Sequence, residues 1–396
     1  MPRRGHGRLC EGALRLVVGG LSLVALACPL SAQDNPVQDN PVQDSSVAER
    51  NTGLERARSL VAKNDLKEAL PIYRALIKSE PEQPWLLSEF GSALVTAGRF
   101  KEALPLLERA MKGDGLDLDL AWKAAICHDA LGGKSQAVRL YRRILLVRPD
   151  HAKARYNLGR LQYESGQLAE AEATYRDLVS RHPRHWMGLN NLGLILIDGG
   201  QPDAALSPLR RAQKIKGGAP GVLHNIGRAF AAKGNPKTAL VWFKRAREAV
   251  GSKDLALVRL YLDLGNAHFS LGRYEEACDS YRSALDLDAG YAPAHLNLGA
   301  ALANLGDYEA SIQALEKAVD FDSERVAIFH QIAVNHIAQR DIELALVLLH
   351  KARKVDESNA RTFLLIGRAL EAGGDLRSSR AALQKACRLG ASEACP

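Results

Sequence analysis

Small residues recur at intervals of 34 along most of this 396-residue chain. The first series contains Gly91, Ala125, Gly159, Gly193 and Gly227, and after one interval of 38 it continues with Gly265, Gly299, Ala333 and Gly367. A second series follows the first by twelve residues, at Ala103, Ala137, Ala171, Ala205, Ala239, Ala277, Ser311, Ala345 and Ser379. A period of this length indicates stacked copies of one supersecondary unit, in which each copy contacts only its neighbours.

Each copy has the pattern of two helices joined by a glycine turn. In the segment 152–166, Ala154, Leu158 and Leu161 recur at helical spacing. Gly166 follows where a helix ends in a residue with positive φ, which glycine adopts at little cost. A second helix is expected over residues 170–181, and Pro183 ends it. The turn position is occupied in the other copies by Asn64, Gly98, Gly132, Gly200, Gly234, Gly272, Gly306 and Gly374.

The small residues have a packing explanation. We expect Gly159 and Ala171 to lie where the two helices of one hairpin cross, because a larger side chain would separate the backbones. Tyr175 is expected to fill the space toward the next hairpin. A single hairpin cannot bury its apolar face, so stacking of successive hairpins must do so.

The pattern resembles the tetratricopeptide repeat. Leu158-Gly159, Gly166, Ala171, Tyr175 and Pro183 match the family's signature positions within one copy. The resemblance implies an all-α, right-handed superhelical solenoid of about ten repeats over residues 50–391, followed by a short tail at 392–396. The copies are expected to begin near Arg50, Pro84, Leu118, Ala152, Trp186, Pro220, Val258, Ala292, Val326 and Ala360.

The amino terminus has the layout of a secretory signal peptide. Four arginines lie within the first 15 residues, and an apolar run of about a dozen residues follows, which is too short to span a bilayer. We expect cleavage after Ala32, so that residues 1–32 are removed and no membrane span remains, giving a periplasmic or secreted protein. The alternative is a lipoprotein anchored at the membrane through Cys28. Residues 33–49 contain a tandem polar pentapeptide and are expected to form a flexible spacer.

The overall charge argues against a nucleic-acid partner. The net charge of +8 falls when residues 1–32 are removed, leaving 49 basic against 44 acidic residues. Basic and acidic residues are also interleaved along the sequence, and this balance is too weak for a polyanion-binding surface.

Four cysteines lie beyond the signal segment. Cys127 and Cys278 fall on helix faces beside small core residues, so buried thiols are expected there. Cys387 and Cys395 resemble the pair that is bridged in cysteine-rich, exported relatives of the tetratricopeptide repeat. That resemblance implies a disulfide holding the tail over the last helix, and the alternative is two free thiols.

Candidate binding residues lie on the first helices, which form the concave surface in this family. The position two residues before each signature small residue holds a row of mostly carboxamide side chains. An amide donates and accepts at once, which suits an extended peptide backbone, although the same amides could instead bond only to the adjacent hairpin. The row consists of Asn157, Asn191, Asn225, Asp263, Asn297 and Gln331.

Three aromatic residues on the same face are candidate anchors for an apolar side chain of the partner. Trp85 and Trp122 belong to the second and third copies, and Tyr156 is close by in the fourth. The alternative is that these rings pack within the hairpin stack. His128, His268 and His336 share one position in three separated copies and are interpreted as packing residues, so no metal site is expected.

The sequence contains no motif for catalysis or cofactor binding. We therefore expect a non-enzymatic adaptor or assembly scaffold of the bacterial cell envelope that binds a protein or an extended peptide in its groove, without a cofactor. The alternatives are a membrane-tethered lipoprotein that organises envelope machinery and a glycan-binding solenoid that uses the amides and aromatic rings.

Overall fold

The computed structural model describes residues 41–112, 117–250, 256–321 and 326–395, with side chains from residue 51 onward except that of residue 256. Within these ranges the chain forms twenty α-helices and no strand. The first five hairpins are α1 (Pro41–Ala62) with α2 (Leu66–Ser79), α3 (Pro84–Thr96) with α4 (Phe100–Ala110), α5 (Leu118–Ala130) with α6 (Lys134–Val147), α7 (Ala152–Glu164) with α8 (Leu168–Arg181), and α9 (Trp186–Asp198) with α10 (Pro202–Ile215). The next five are α11 (Pro220–Ala232) with α12 (Pro236–Ala249), α13 (Ala256–Phe269) with α14 (Tyr274–Leu287), α15 (Ala292–Asn304) with α16 (Tyr308–Phe321), α17 (Val326–Ala338) with α18 (Ile342–Val355), and α19 (Ala360–Ala372) with α20 (Leu376–Arg388).

The predicted all-α solenoid is confirmed, and most helix starts coincide with the sequence periodicity. The first helix begins at the expected residue in every copy except the first and the seventh. In the first copy, α1 begins at Pro41, so residues 41–49 are helical where a flexible spacer was expected. Proline suits this first helical position because its fixed φ matches the helix and its missing N–H leaves no bond unmade. The expected signal segment and Cys28 lie outside the described residues.

The turn between the two helices of each hairpin has a residue with positive φ. Gly166 has φ of 75°, and the other predicted turn glycines and Asn64 also have positive φ. In the ninth copy the position is taken by Arg340, with φ of 66°. The sequence does not predict this turn residue, because arginine, unlike glycine or asparagine, is not typical of positions with positive φ. Its conformation costs free energy that the glycines avoid.

The signature glycines are required by a contact within each hairpin. A Cβ atom on Gly159 would lie 2.8 Å from Cε2 of Tyr175, and one on Gly91 would lie 2.7 Å from Cδ2 of Leu107. In both hairpins the large residue stands sixteen positions after the glycine. Tyr175 therefore packs onto its own hairpin, and it also belongs to a buried cluster that continues into the next hairpin, as expected.

The first helices line one side of the stack. From α9 to α19, each first helix packs against the following first helix as well as against its hairpin partner. In the described residues, successive second helices make less contact with each other than these successive first helices do. The second helices are therefore spread on the outer, convex side, and the first helices form the concave side.

The carboxy-terminal segment folds back on the last hairpin. Cys387 and Cys395 are within disulfide distance, with Cα atoms 5.0 Å apart. A short 3₁₀ helix (Ser392–Ala394) places Ala394 against the core of the last repeats. Cys127 and Cys278 are buried, as the sequence predicts, and burial raises the pKa of the Cys127 thiol to about 11.

Candidate functional site

The predicted amide row lies along the concave side, where its members are largely used to join successive hairpins. Asn157 Nδ2 donates to the hydroxyl of Tyr141 at 3.3 Å. Asn191 Nδ2 donates to the hydroxyl of Tyr175 at 2.9 Å. In both pairs, a first helix is tied to the second helix of the preceding hairpin. The alternative role given above for the row, bonding to the adjacent hairpin, therefore applies to these two amides. The bonds fix both amides in place.

The middle of the row is also linked to neighbouring helices. Asn225 is 7% exposed and donates through Nδ2 to Oδ1 of Asn190 at 3.0 Å, so it offers little surface to a ligand. Oδ2 of Asp263 lies 2.7 Å from Nε2 of His224 and 4.0 Å from Nε of Arg228. These contacts join α9, α11 and α13.

Gln331, near the end of the row, differs from the other members. Its side chain makes no hydrogen bond with a described residue and is half-buried. The amide can therefore turn toward a ligand without breaking a bond within the protein.

An amide pair between α13 and α15 has the strongest binding geometry. Asn297 Nδ2 donates to Oδ1 of Asn266 at 2.8 Å, and the Tyr281 hydroxyl donates to the same oxygen at 2.9 Å. With that oxygen occupied, Asn266 retains its two N–H donors, and Oδ1 of Asn297 remains an acceptor without a partner among the described residues. The pair therefore presents a donor beside an acceptor, which is the complement of one peptide group.

Two adjoining clefts surround this pair. One, of about 240 Å³, is lined by Asn266, Tyr281 and Asn297 together with Phe269, Ser270 and Ala300. The other, of about 420 Å³, extends from the shared residues Asn266 and Ser270 toward Asp263 and Arg228. Together they form a continuous depression along α11, α13 and α15 on the concave side.

Charge is unevenly distributed along the concave side. Arg228 lies between two carboxylates, with a distance of 2.9 Å from its Nη2 to Oδ1 of Asp198. Burial and the Asp198 carboxylate, which accepts a hydrogen bond from the Tyr163 hydroxyl, raise the pKa of Tyr163. By contrast, α15 and α17 contain no lysine, arginine, aspartate or glutamate. A ligand in the groove would meet paired charges at one end and neutral side chains at the other.

The three aromatic candidates are not equivalent. Trp85 is 47% exposed and free to contact a partner. Trp122 is half-buried, its Nε1 is buried with no acceptor among the described residues, and the Nζ of Lys153 lies 5.4 Å from its ring centre. Tyr156 packs edge-on against Tyr175, with ring centres 5.9 Å apart. Trp122 and Tyr156 therefore serve the hairpin stack, and Trp85 is the best placed of the three for binding.

The signature-position histidines are separate from one another. His128 Nε2 lies 3.3 Å from Glu108, and burial lowers the pKa of His268. Among the described residues, no three histidine, cysteine or acidic side chains are grouped as they would be to hold a metal ion. The same residues include no helix long and apolar enough to cross a membrane.

Sequence reasoning undervalued Asn266, Ser270 and Arg228. Asn266 and Arg228 follow the signature glycines directly, at the position where Arg58 and Arg160 stand in other copies. Comparison of that position between copies would have singled out Asn266 as its only carboxamide side chain. Its pairing with Asn297 depends on the spacing of two hairpins, which one copy alone does not show.

Comparison with known proteins finds a curated relative that aligns over part of this chain and solved structures with a similar fold. The chain is 31% identical over 114 residues to general transcription factor 3C polypeptide 3 from Homo sapiens, covering 28% of this chain and 13% of that protein. The crystal structure of the APC/C hetero-tetramer Cut9–Hcn1 is 20% identical, covers 78% of this chain and 60% of that chain, and has a TM-score of 0.54. The crystal structure of yeast Tom70 is 11% identical, covers 88% of this chain and 93% of that chain, and has a TM-score of 0.46.

Four family profiles match the chain, and all of them describe the same repeat. Those described as tetratricopeptide repeat match residues 60–126, 123–179, 159–220, 292–325 and 330–394. One described as TPR repeat matches residues 265–306. Because these matches together span most of the chain at the predicted periodicity, the chain belongs to the tetratricopeptide-repeat family.

Proposed function

We propose that this protein is a non-enzymatic adaptor of the bacterial cell envelope that binds an extended peptide segment of a partner protein in its concave groove. The amide pair Asn266–Asn297 is the observation that carries this proposal. Its free donors and acceptor lie in a cleft, and the Tyr281 hydroxyl holds them in position before a ligand arrives. Such fixed amides reduce the ordering cost of binding.

The neutral surface beside the pair favours a ligand recognised through its backbone. Ala300 lines the same cleft, and α15 and α17 carry no charged side chain. Recognition of peptide groups does not require a particular ligand sequence, so an adaptor of this type can accept related segments. Asp263 and Arg228 at the other end of the depression would then select the polar part of the ligand.

The envelope location rests on the amino-terminal sequence. The charged and apolar segments within residues 1–32 favour export, and Cys28 leaves a membrane-tethered lipoprotein as the second candidate. Mass spectrometry of the mature protein distinguishes the two. A free amino terminus at residue 33 supports soluble export, and a lipid-modified Cys28 would replace that proposal.

Peptide binding is tested with a library of unstructured peptides displayed to the mature protein. Binding of the selected peptides to the wild type and to Asn297→Ala is then measured by fluorescence anisotropy. We expect the substitution to weaken binding about five- to thirty-fold, because one to two hydrogen bonds of about 1 kcal/mol are lost. Asn304→Ala is the matched control, since Asn304 lies on the same helix and bonds to the Ala300 carbonyl at 2.8 Å.

Two results would contradict the proposal. Equal affinity of the wild type and Asn297→Ala, with both folded by circular dichroism, would place the ligand away from the amide pair. Binding on a glycan array without any peptide ligand would favour the glycan-binding alternative instead. Asn157, Asn191 and Asn225 are unsuitable for this test because their amides join hairpins or are buried.

A further inference from the structure

The convex side of the last four repeats carries two adjacent blocks of opposite charge. The acidic block consists of α14 and α16, which together hold seven acidic and two basic residues. The basic block consists of α18 and α20, which together hold seven basic residues, counting only lysine and arginine, and one acidic residue. All of these charged side chains are exposed, and no ion pair in the described residues links one block to the other. The charges of both blocks therefore face the solvent.

Large apolar side chains are exposed on α16, α18 and α20. Leu344 and Val347 lie one turn apart on α18 and are 54% and 53% exposed. Phe321, at the end of α16, is 57% exposed, and Leu376, at the start of α20, is 65% exposed. A set of this size within neighbouring helices is typical of a surface that another molecule covers.

The acidic block also contains a cleft. The cleft lies between α14 and α16, has a volume of about 600 Å³, and includes Leu285, Leu298, Leu302 and Ala314 in its lining. Phe321 closes one side, with its ring parallel to that of His295 at 6.1 Å between centres. Asp286 and Asp320 line the cleft together with Arg282 and Lys317, so its acidic and basic side chains balance. The cleft would therefore accept an apolar side chain, and the negative charge of the block comes from its other acidic residues.

We propose that the convex face of α14, α16, α18 and α20 is a dimer interface that binds a second copy of this chain around a two-fold axis. Two blocks of opposite charge placed side by side are self-complementary under a two-fold rotation. The acidic block of one copy then meets the basic block of the other, twice. Leu344 and Val347 approach the partner's cleft between α14 and α16, near the centre of the contact.

The expected interface matches the usual organisation of such surfaces. Apolar side chains lie at the centre and charged side chains surround them. The four helices have 13 or 14 residues and are about 20 Å long, so side by side they offer up to about 800 Å² per partner. A convex surface curves away from its partner, which concentrates the contact on α16 and α18. Leu344 and Val347 should therefore contribute more to the affinity than residues on the outer helices.

Sedimentation velocity of the protein, expressed from its full sequence, tests this inference. We expect a dimer at about 50 µM in low salt and at least about ten-fold weaker association when the salt is raised, because the charged rim is screened. The double variant Leu344→Asp with Val347→Asp should be monomeric. Arg139→Glu with Arg142→Glu, on α6, makes an equal number of exposed substitutions outside the interface and should leave the dimer intact.

A charge-exchange experiment identifies the pairing of the blocks. One variant reverses four acidic residues, Asp279, Asp286, Glu316 and Asp320, to lysine. The other reverses four basic residues, Lys351, Arg353, Arg377 and Arg380, to glutamate. Each variant alone should be monomeric because both of its blocks then have the same sign, and an equimolar mixture should form a heterodimer.

Three results would overturn the dimer inference. A wild type that stays monomeric at about 50 µM in low salt overturns the inference. So does a mixture of the two charge variants that fails to associate although each is folded by circular dichroism. A dimer that survives Leu344→Asp with Val347→Asp would place the interface elsewhere. Peptide binding in the concave groove is a separate property and should be unaffected by these convex substitutions.

Discussion

Replacing Arg340 by glycine should stabilise the ninth repeat. Arg340 has φ of 66°, whereas eight other turns have glycine at this position. A left-handed conformation costs a residue with a Cβ atom about 1–2 kcal/mol. Glycine loses about 0.5–1 kcal/mol more backbone entropy on folding. The difference predicts that Arg340→Gly raises the free energy of unfolding by about 0.5–1 kcal/mol.

The side chain of Arg340 should not complicate this result. It is exposed and makes no ion pair or side-chain hydrogen bond with a described residue. Arg340→Ala is the matched control, because alanine removes the side chain and keeps the strained φ. Gly374→Ala, in the last hairpin, should have the opposite effect and destabilise by about 1 kcal/mol.

Urea denaturation and hydrogen exchange measure the effect. Repeats open locally, so amide exchange in α17 and α18 should slow about two- to five-fold in Arg340→Gly. The denaturation midpoint should rise in that variant alone. If Arg340→Ala stabilises as much as Arg340→Gly, backbone strain is not the cause and the reasoning is refuted.

Three further predictions concern packing, pH and the tail. Gly227→Ala places a methyl group against the ring of Phe243 and should destabilise by about 1–3 kcal/mol in urea denaturation, and an unchanged midpoint would contradict the packing argument. Burial lowers the pKa of His330 to about 4, so only the unfolded chain gains this proton between pH 6.5 and that value. The contribution of neutral His330 to the free energy of unfolding should therefore be fully present above pH 6.5, and about 2 kcal/mol of it should be lost at pH 5. Urea midpoints compared between pH 7 and pH 5 should show a smaller loss in His330→Gln than in the wild type. Cys395→Ser should lower the free energy of unfolding by about 2 kcal/mol. Titration of denatured, unreduced protein that lacks residues 1–32 should find Cys127 and Cys278 reactive but not all four of its thiols.

The sequence predicted the fold well because the repeat is local. Turn glycines and small crossing residues are required by contacts inside one hairpin, so each copy carries its own signal. At Arg340 the turn glycine is absent, but the backbone has the same positive φ because the two flanking helices determine the turn. The extension of α1 to Pro41 was not foreseen because the polar composition of residues 41–49 resembles that of a spacer.

The candidate site was harder to predict because it forms between copies. The position of the amide row on the first helices was visible from the spacing alone. The bonds of Asn191 to Tyr175 and of Asn297 to Asn266 depend on how one hairpin stacks on the next. The two charge blocks can be counted along the sequence of α14, α16, α18 and α20, but their placement side by side on the convex face depends on how the hairpins stack.

The neighbour-only packing of the helices also bears on how the chain reaches its native state. Nearly all close contacts join segments that are near in sequence, so little loop-closure entropy opposes their formation, and folding should be fast for a chain of this length. Hairpins made first can fold before the last ones are synthesised. Cys387 and Cys395 are only eight residues apart and follow the earlier hairpins in the sequence. The expected bridge therefore closes a short loop after the hairpins that bury Cys127 and Cys278 have been synthesised, which leaves little opportunity for wrong pairing with those two thiols.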